Sequence, residues 1–517
     1  MIQVRYAVLG AALWSCQASP PERLEPIRRP PIEVIERFSF DEAPTPTLEP
    51  IHVLGSSEEA DEEGVDAPSA TIELDDILLA VDLHFPLILA ATEEIEIAEG
   101  ELTSAQGAFD TQLGTDGFFR TEGFRDTQRI NLGISQPTTA WGAVFEGGYK
   151  LGLGDFDFYE EGAQTNEGGE FRGGVTLPLF QGREIDPRRV DLWQARIARD
   201  AADPTILAAR IRTAFAATSA YWRWVSAGRR REIAQRLLGL AEQRTGQVEL
   251  LVETGEVAQI NEKENQRLVV DRRARLLQAE RDLQEAAILL SLFWRDANGA
   301  PQVPPDALLP YDFPGAKAVE ELLLEGDVDF AIEHRPELRK LILDLEVLGL
   351  DVDLARNALL PTLDVGVIGS QDIGAEVSDP DDKGPFELEF LFQFGIPLQL
   401  RKARGGERAV RAKLRQLQRE AQFLRETIQS EVLDARSALN QNWLSIAQAR
   451  ENVQLANELA ELERFSFSKG QSDLLRVNLR EQQAAVAAAS YVEVLRKYFA
   501  SVAKYRAVLG VPSVHDQ

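Results

Sequence analysis

The stretch Phe386-Glu-Leu-Glu-Phe-Leu-Phe-Gln-Phe394 has apolar side chains at every second position and a mostly polar opposite face. The residues that follow, Gly-Ile-Pro397-Leu-Gln-Leu-Arg401, lead directly into a long run rich in Ala, Arg, Glu and Gln. A period of two followed by a period near 3.6 predicts a β-strand joined to a long helix. The alternation by itself fits a lipid-facing barrel strand and a soluble sandwich strand equally well.

The same junction occurs earlier in the chain. Gly174-Val-Thr-Leu-Pro178-Leu-Phe-Gln-Gly-Arg183 also passes from a strand pattern into a long helical pattern. Upstream, His84-Phe-Pro-Leu87 corresponds to His334-Arg-Pro-Glu337. Downstream, Leu251–Ile260 corresponds to Ser466–Leu475, and each contains a glycine where a left-handed backbone would reverse the chain. We therefore predict two internal repeats of one unit.

The helical patterns are unusually long. They run from about Pro204 to Glu253 and from Glu407 to Phe465, which corresponds to roughly 75 and 90 Å at about 1.5 Å per residue. Helices of this length need long helical neighbours, so coiled-coil packing is expected. Asp203-Pro204 combines a cap residue with a first-turn proline, which predicts a kink or a restart of the helix there.

The composition excludes several classes of protein. A net charge of −29 argues against nucleic-acid binding, which needs a basic surface. One cysteine rules out an intramolecular disulfide, and four scattered histidines have no metal-ligand spacing. No catalytic constellation or phosphate-binding loop is recognisable, so no enzyme activity, cofactor or metal is expected. Outside the N-terminus, no apolar run of about eighteen residues predicts a membrane-spanning helix.

The N-terminus indicates an export signal. Arg5 precedes the apolar run Tyr6–Trp14, and Leu13-Trp-Ser-Cys16 is similar to a bacterial lipobox, in which the cysteine becomes the lipidated first residue. Lipidation of Cys16 is expected, with a plain cleaved signal or an incidental cysteine as the alternatives. The acid-rich residues 17–70 are predicted to form a largely disordered arm.

The repeated pattern resembles the TolC family of outer-membrane efflux proteins over residues 71–510. The segments on which this resemblance rests are His334-Arg-Pro-Glu-Leu338, Ala355–Leu363, Phe394–Leu398, Lys469–Leu475 and Tyr505–Gly510. The resemblance implies an α+β membrane protein: a homotrimer sharing one β-barrel, with about four strands per protomer, continued by a long α-helical coiled-coil barrel. A departure is the length of Thr111 to Phe180, which contains an extra Pro137–Gly142 turn and leaves open an additional hairpin.

The resemblance also implies functional positions. Its adaptor-docking tips fall at the two glycine turns, listed by repeat as Thr254, Gly255, Glu256 and Lys469, Gly470, Gln471. Six residues beyond each glycine, where the family commonly has a gate aspartate, this chain has Asn261 and Arg476. Glu264 and Asp473 are nearby acids that could replace it, and Arg476 could bond an acid on a neighbouring helix. The charge of the gate is thus left open.

The predicted organisation follows from these assignments. Residues 1–16 form the signal and lipobox and 17–70 the arm, followed by a first repeat over 71–296, a Pro-rich connector over 297–320, a second repeat over 321–510 and a tail over 511–517. Strands are expected over about 111–180 and 361–398, and long helices over about 186–296 and 401–508.

The expected function is passive export through a tripartite efflux pump or type I secretion system. It implies an adaptor (membrane fusion) protein, an inner-membrane transporter and outer-membrane lipid as partners. A soluble or periplasmic coiled-coil scaffold without a pore is the alternative.

Overall fold

A computed structural model describes residues 71–122, 126–154, 156, 164–375 and 386–512. The helices are α1 (Leu74–His84), α2 (Pro86–Gln106), α3 (Pro187–Glu253), α4 (Gln259–Leu290), α5 (Val319–Leu322), α6 (Asp327–His334), α7 (Pro336–Asn357), α8 (Arg401–Ser468) and α9 (Leu474–Leu509). The strands are β1 (Gln112–Arg120), β2 (Thr127–Pro137), β3 (Val144–Gly154), β4 (Glu170–Pro178), β5 (Thr362–Asp372) and β6 (Glu387–Gly395). Short 3-10 turns cover Gly107–Phe109 and Asp306–Leu308.

Within the described residues, six strands form one antiparallel sheet in the order β1-β2-β3-β4-β5-β6. The expectation of about four strands per protomer is therefore wrong, and the additional hairpin that the sequence left open is present. The chain reverses between Pro137 and Val144, so that β3 runs back along β2 over eleven residue pairs. The first repeat contributes two hairpins and the second repeat one, with β4 and β5 joining the repeats.

The helical elements occur in the same order in both repeats. A short helix, a one-residue break and a longer helix come first, because Pro86 and Pro336 cannot continue the preceding helix but fit the first turn of the next. After the strands come the longest helices, α3 with 67 residues and α8 with 68. Each corresponds to about 100 Å at about 1.5 Å per residue.

The restart expected at Asp203-Pro204 is wrong. Helix α3 begins at Pro187, where the Asp186 side chain accepts a hydrogen bond from the Arg189 backbone N–H, and it continues through Pro204. Pro204 is buried. Burial of the ring and of the adjacent Ile206 side chain offsets part of the cost of the missing backbone N–H.

Two hydrophobic clusters lie among the helices, one centred on α3 and α4 and one on α8 and α9. Phe313 of the Pro-rich connector packs against both clusters, and its ring stacks on Trp222 and Phe499. Leu309 of the same connector lies so close to Gly228 that a Cβ there would be 2.1 Å from its Cδ2 atom. The connector is therefore packed into the helical body.

Some predictions fall on other parts of the chain. The signal peptide, the lipidation site Cys16, the acidic arm over residues 17–70 and residues 513–517 lie outside the described residues. Within the described part of the chain, no helix has both the length and the apolar content needed to cross a membrane.

Candidate functional site

The sheet has two chemically different faces. The six strands contain eleven charged residues, and the alternation and register of the strands place all of them on one side, here called the charged face. They are Asp116, Arg120, Arg129, Glu146, Lys150, Glu170, Arg172, Asp364, Asp372, Glu387 and Glu389. Phe118, Ile368 and Leu391 are apolar members of the same face.

The opposite side, here called the charge-free face, is exposed and mostly apolar. Its exposed large side chains are Leu113, Phe119, Ile130, Leu132, Ile134, Phe145, Phe171, Val367, Leu388, Phe390, Phe392 and Phe394. Phe390 and Phe392 are 72% and 81% exposed. A band of this size is unfavourable in water, so the charge-free face needs either lipid or another protein against it.

Polar pairs connect neighbouring strands across the charged face. Asn131 Nδ2 of β2 donates to Asp116 Oδ2 of β1 at 2.8 Å. Lys150 Nζ of β3 lies 2.9 Å from Glu170 Oε2 of β4, and both side chains are largely buried. Each pair satisfies polar groups within the sheet and stabilises the register between the strands.

The strand-to-helix junction of the first repeat is organised by Arg189, which is 5% exposed. Its Nη2 donates to the carbonyl oxygens of Gly182 and Arg183 at 2.6 and 2.9 Å, and its Nε lies 2.5 Å from Asp186 Oδ2. The Gly182 N–H donates to Asn357 Oδ1 at the end of α7. These bonds hold the turn after β4, the start of α3 and the end of α7 at one point, so the sheet and the long helix have a fixed connection.

The two predicted tips are turns of the same type. Gly255 and Gly470 have φ of +78° and +71°, in the left-handed region that glycine adopts without a steric cost. In the first, Glu256 N–H donates to Leu251 O, and in the second Gln471 N–H donates to Ser466 O, both at 2.9 Å. Together with the glycine N–H bonds to Val252 and Phe467, these define a Schellman motif at each helix end. The predicted chain reversal at both glycines is present.

The four predicted gate residues lie just beyond these turns. Asp473 is the N-cap of α9: its Oδ1 accepts from the Arg476 backbone N–H at 2.9 Å, and its Oδ2 lies 3.4 Å from Arg476 Nε. Arg476 thus pairs with an acid of its own helix end rather than with a neighbouring helix. Glu264 pairs with Arg267 at 2.7 Å, and this hydrogen bond holds the pKa of Glu264 below its usual range. Asn261 Nδ2 donates to Ala258 O.

A buried charge cluster near the tips was missed by sequence reasoning. Arg244 of α3 pairs with Glu481 of α9 and donates to Asn478 Oδ1 at 2.7 Å. Arg272 of α4 lies 3.1 Å from the other Glu481 oxygen and donates to Leu237 O at 2.7 Å. Burial lowers the pKa of the Arg272 guanidinium, and Glu481 opposes that shift. No periodicity distinguishes these charges from the many solvated ones on the same helices.

Helix α8 leaves apolar side chains exposed in the single chain. Its buried residues follow a seven-residue repeat, including Val432, Leu439, Ile446, Val453 and Ala460, which is the seam of a coiled coil. Away from that seam, Leu433, Leu444 and Leu455 recur every eleven residues and are between 40% and 54% exposed. Eleven residues make three helical turns, so these leucines form a second stripe along one side of α8.

Comparison with known proteins identifies the class. Residues 328–511 match the family model described as Outer membrane efflux protein. No curated protein sequence matches significantly. Within the described residues, no group of three or more His, Cys, Asp or Glu side chains could hold a metal ion.

Solved structures of outer-membrane channels share the fold. The outer-membrane channel OprN matches with a TM-score of 0.63 at 14% identity, covering 84% of this chain and 89% of its own. The open state of the MtrE channel of Neisseria gonorrhoeae gives 0.62 at 14% identity, covering 90% and 98%. The outer membrane protein VceC of Vibrio cholerae gives 0.60 at 15% identity, covering 85% and 96%.

At these identities the structural matches establish a fold: strands and long helical tube elements in the arrangement of outer-membrane channels. The family match over residues 328–511, together with the shared fold, confirms the resemblance seen in the sequence. Residues 328–511, which make up most of the second repeat, match the outer membrane efflux protein family that the sequence resembles. Family and fold are those of channels rather than enzymes.

Proposed function

We propose that this protein is the outer-membrane channel of a tripartite efflux pump or type I secretion system, a passive conduit across the periplasm and the outer membrane. The observation that carries the proposal is the charge-free face of the sheet. Its strands are nine to eleven residues long, which matches the roughly 9–11 residues that a tilted strand needs to cross a bilayer. Lipid covers this face, and the charged face lines an aqueous lumen.

The sheet of one chain cannot be complete in lipid. Strands β1 and β6 are its two edges, and backbone groups at an open edge have no water to bond within the hydrocarbon layer. Pairing β6 of one copy with β1 of the next removes every edge when three copies close a ring. The outer ends of these edges also carry opposite charges on the charged face, Arg120 on β1 against Glu387 and Glu389 on β6.

The helices close a tube in the same ring. The exposed leucine stripe of α8 is covered by helices of the neighbouring copy, in the way that the heptad seam of α8 already packs within the chain. The tube extends from the sheet into the periplasm for about 100 Å, the length of α3 and α8. The proposed organisation has a first repeat over residues 71–296, a Pro-rich connector over 297–320 and a second repeat over 321–510, preceded by the signal and the acidic arm.

The tips are the periplasmic end of the tube. A periplasmic adaptor docks at the two Schellman turns, Thr254-Gly-Glu256 and Lys469-Gly-Gln471, which expose backbone and polar side chains at the end of each helix pair. The gate lies at Asp473, Arg476, Asn261 and Glu264, three to nine residues beyond the tip glycines. Cargo passes when the tips separate, and the inner-membrane transporter supplies the energy. A lipid on Cys16 adds an anchor to the outer membrane.

Charge substitution at the gate tests this assignment. Asp473→Asn keeps the cap oxygen that bonds the Arg476 N–H but removes the charge, whereas Asp473→Ala removes both. Arg476→Glu reverses the charge of its partner. We expect altered single-channel conductance or ion selectivity of the reconstituted ring in all three variants, with Asp473→Ala alone also losing about 1 kcal/mol of stability.

Unchanged conductance in all three variants would remove these residues from the gate. A protein without a pore, such as a coiled-coil scaffold, would give no conductance in the parent either and would be recovered from the soluble fraction without detergent. The parent measurement therefore tests the channel, and the variants test the position of its gate.

A further inference from the structure

We propose that the β2–β3 hairpin is built into the membrane wall of the channel, so that the closed ring is an eighteen-stranded barrel, three copies of six strands. This inference depends on the proposed function, because it takes the trimeric channel as given. It departs from the expectation of about four strands per protomer, which would give twelve. The alternatives are that this hairpin folds back into the lumen or projects outside the wall.

The hairpin is inserted between two strands that have counterparts in the other repeat. Leu113 of β1 aligns with Leu363 of β5, and the segment after Pro178 of β4 aligns with that after Pro397, which follows β6. In the second repeat, β5 and β6 pair directly with each other. In the first repeat β1 and β4 are separated by β2 and β3, so these two strands are the additional ones.

The additional strands are paired with each other along their whole length and with both neighbouring strands over most of it. β2 pairs with β1 over nine residue pairs and with β3 over eleven, and β3 pairs with β4 over seven. A hairpin folded into the lumen or away from the wall would lose the β1–β2 and β3–β4 ladders. The edges of β1 and β4 would then be unpaired inside the hydrocarbon layer, where each unbonded group costs several kcal/mol, unless these two strands moved together and paired directly; in the structure the hairpin separates them.

The faces of the additional strands are in phase with the rest of the sheet. Leu132 of β2 lies beside Tyr149 of β3 and Thr115 of β1 on the charge-free face. The charged residues of the hairpin, Arg129, Glu146 and Lys150, all lie on the charged face. Because a slip of one residue would exchange the two faces, this agreement indicates that β2 and β3 meet the same two environments as their neighbours.

Contacts on the charged face attach the hairpin from both sides. Asn131 bonds Asp116 of β1, and Lys150 pairs with Glu170 of β4. Arg172 of β4 also lies across Gly148 of β3, where a Cβ would be 2.8 Å from the Leu132 carbonyl oxygen and 3.6 Å from Arg172 Nε. The glycine therefore allows the close approach of the Leu132 carbonyl, and the Arg172 side chain packs over the same position at ordinary contact distance.

The turn of the hairpin is fixed at the helical end of the sheet. Gly142 has φ of +70°, and a Cβ there would lie 2.7 Å from Gly182 O and 3.0 Å from Pro178 Cγ. Gly182 is the same residue whose carbonyl accepts from Arg189. Trp141 next to it is 66% exposed, at the level where aromatic side chains meet a membrane–water interface. The hairpin is therefore tied to the strand-to-helix junction.

An eighteen-stranded ring changes the size of the outer opening. Barrel diameter grows roughly linearly with strand number, so the strand section is about half again as wide as a twelve-stranded one. Barrels of about 16–18 strands enclose an aqueous channel rather than a filled core. The added width belongs to the strand section alone, because the hairpin adds no helix to the tube.

Spin-label accessibility in lipid vesicles tests the position of the hairpin. Single-cysteine variants are made at Leu132 of β2 and Phe145 of β3, with Phe390→Cys of β6 as the reference for a lipid-facing site and Ser135→Cys of β2 as the matched lumen site. The unsubstituted protein provides the blank for labelling of Cys16. We expect Leu132→Cys, Phe145→Cys and Phe390→Cys to be more accessible to dissolved oxygen than to a water-soluble nickel chelate, and Ser135→Cys to show the opposite ranking.

The control positions distinguish a failure of the eighteen-stranded barrel from a failure of the channel itself. A lipid-facing label at position 390 together with water-exposed labels at 132 and 145 would overturn the eighteen-stranded barrel and leave the channel intact. A water-exposed label at position 390 would overturn both. Images of the detergent-solubilised ring provide an independent count: eighteen strands support the inference, and twelve contradict it even if the labels are protected.

Discussion

The two repeats share their helical plan but differ in what surrounds their longest helix. Helix α3 has 25 buried residues, and it packs against α2 and α4 of its own repeat and against α7 and α9 of the other. Helix α8, one residue longer, has nine, and its main contacts are with α6, α7 and α9 of its own repeat. The two long helices therefore differ in burial within one chain, because α8 leaves much more of its surface exposed than α3 does. Under the proposed function, this exposed surface of α8 faces a neighbouring copy.

The strands show the same division. The first repeat supplies four strands and the second repeat two, although each ends in a Pro-containing segment that leads into its long helix. In the proposed channel the helices leave little freedom, because the two long helices must match in length to form one tube. The sheet tolerates an added hairpin, because a ring of strands can be enlarged by an even number without changing its connections to the helices.

Breaking the link between the repeats should have the largest effect. Glu481→Gln leaves Arg244 and Arg272 buried without a counter-charge, and removing one partner of a buried ion pair costs about 3–5 kcal/mol. We expect a clear fall in the thermal stability of the purified protein in detergent. Glu285→Gln is the matched control, since its pair with Arg223 is half exposed on both sides. Equal losses in the two variants would contradict a role for burial.

Two matched leucines sharpen the comparison of α3 with α8. Leu238 is 7% exposed on α3, whereas Leu444 is 54% exposed on α8 in the single chain. Leu238→Ala should lose about 2–5 kcal/mol of unfolding free energy through the lost burial and the cavity. Leu444→Ala should leave the fold of the chain nearly unchanged but weaken the ring, which native mass measurement in detergent would detect as dissociation. If the ring of the Leu238→Ala variant dissociates at temperatures where each chain is still folded, the distinction between a buried α3 and an interface-forming α8 is contradicted.

Substitution of the tip glycine should lower the stability of the protein by a similar amount in the two repeats. Gly255→Ala and Gly470→Ala force an alanine into the left-handed region, which costs about 1–2 kcal/mol each. Gly246→Ala is a control on α3, where no atom lies within 4 Å of the added Cβ and the helix should gain about 0.5–1 kcal/mol. Thermal melting of the three variants shows whether each substitution raises or lowers the stability of the protein. A stable Gly470→Ala protein would mean that the second tip does not need its Schellman turn.

Acidification should weaken one contact between the repeats slightly. The hydrogen bond from Arg496, followed by the charges of Arg496 and Arg230, holds the pKa of Glu493 below its usual value. A lowered folded-state pKa means that this contribution is present above the unfolded pKa and is lost as the pH falls through the folded value. The loss should be below about 1 kcal/mol because the site is partly solvated. Glu493→Gln should show a shallower decline of stability below about pH 4.5, and an unchanged decline would contradict the assignment.

Sequence periodicity predicted much of this molecule because its elements are long and repeated. The alternation of Phe386–Phe394 and the glycines of the tips each match a local requirement of the backbone, and both appear where expected. The strand count was underestimated because it followed from the family resemblance, whereas the length of Thr111 to Phe180 had left an additional hairpin open. Local signals also failed at Pro204, where burial in α3 outweighs the preference of proline for a helix start.

The buried cluster could not have been predicted, for a different reason. Arg244, Arg272 and Glu481 come from three helices, and their burial depends on contacts more than 200 residues apart in the chain. Their helices carry many solvated arginines and glutamates at similar spacings. Only the packing of α9 against α3 and α4 distinguishes the three that are buried.

If three copies close the proposed ring, the different identities of the two sheet edges have a consequence for how it is made. An interface between β6 of one copy and β1 of the next is heterologous, so each copy both offers an edge and accepts one, and only a closed circle uses them all. An open chain of one or two copies would hold a full row of unbonded peptide groups in the hydrocarbon layer. Insertion and assembly are therefore coupled, and partly assembled species should be absent from the membrane at equilibrium.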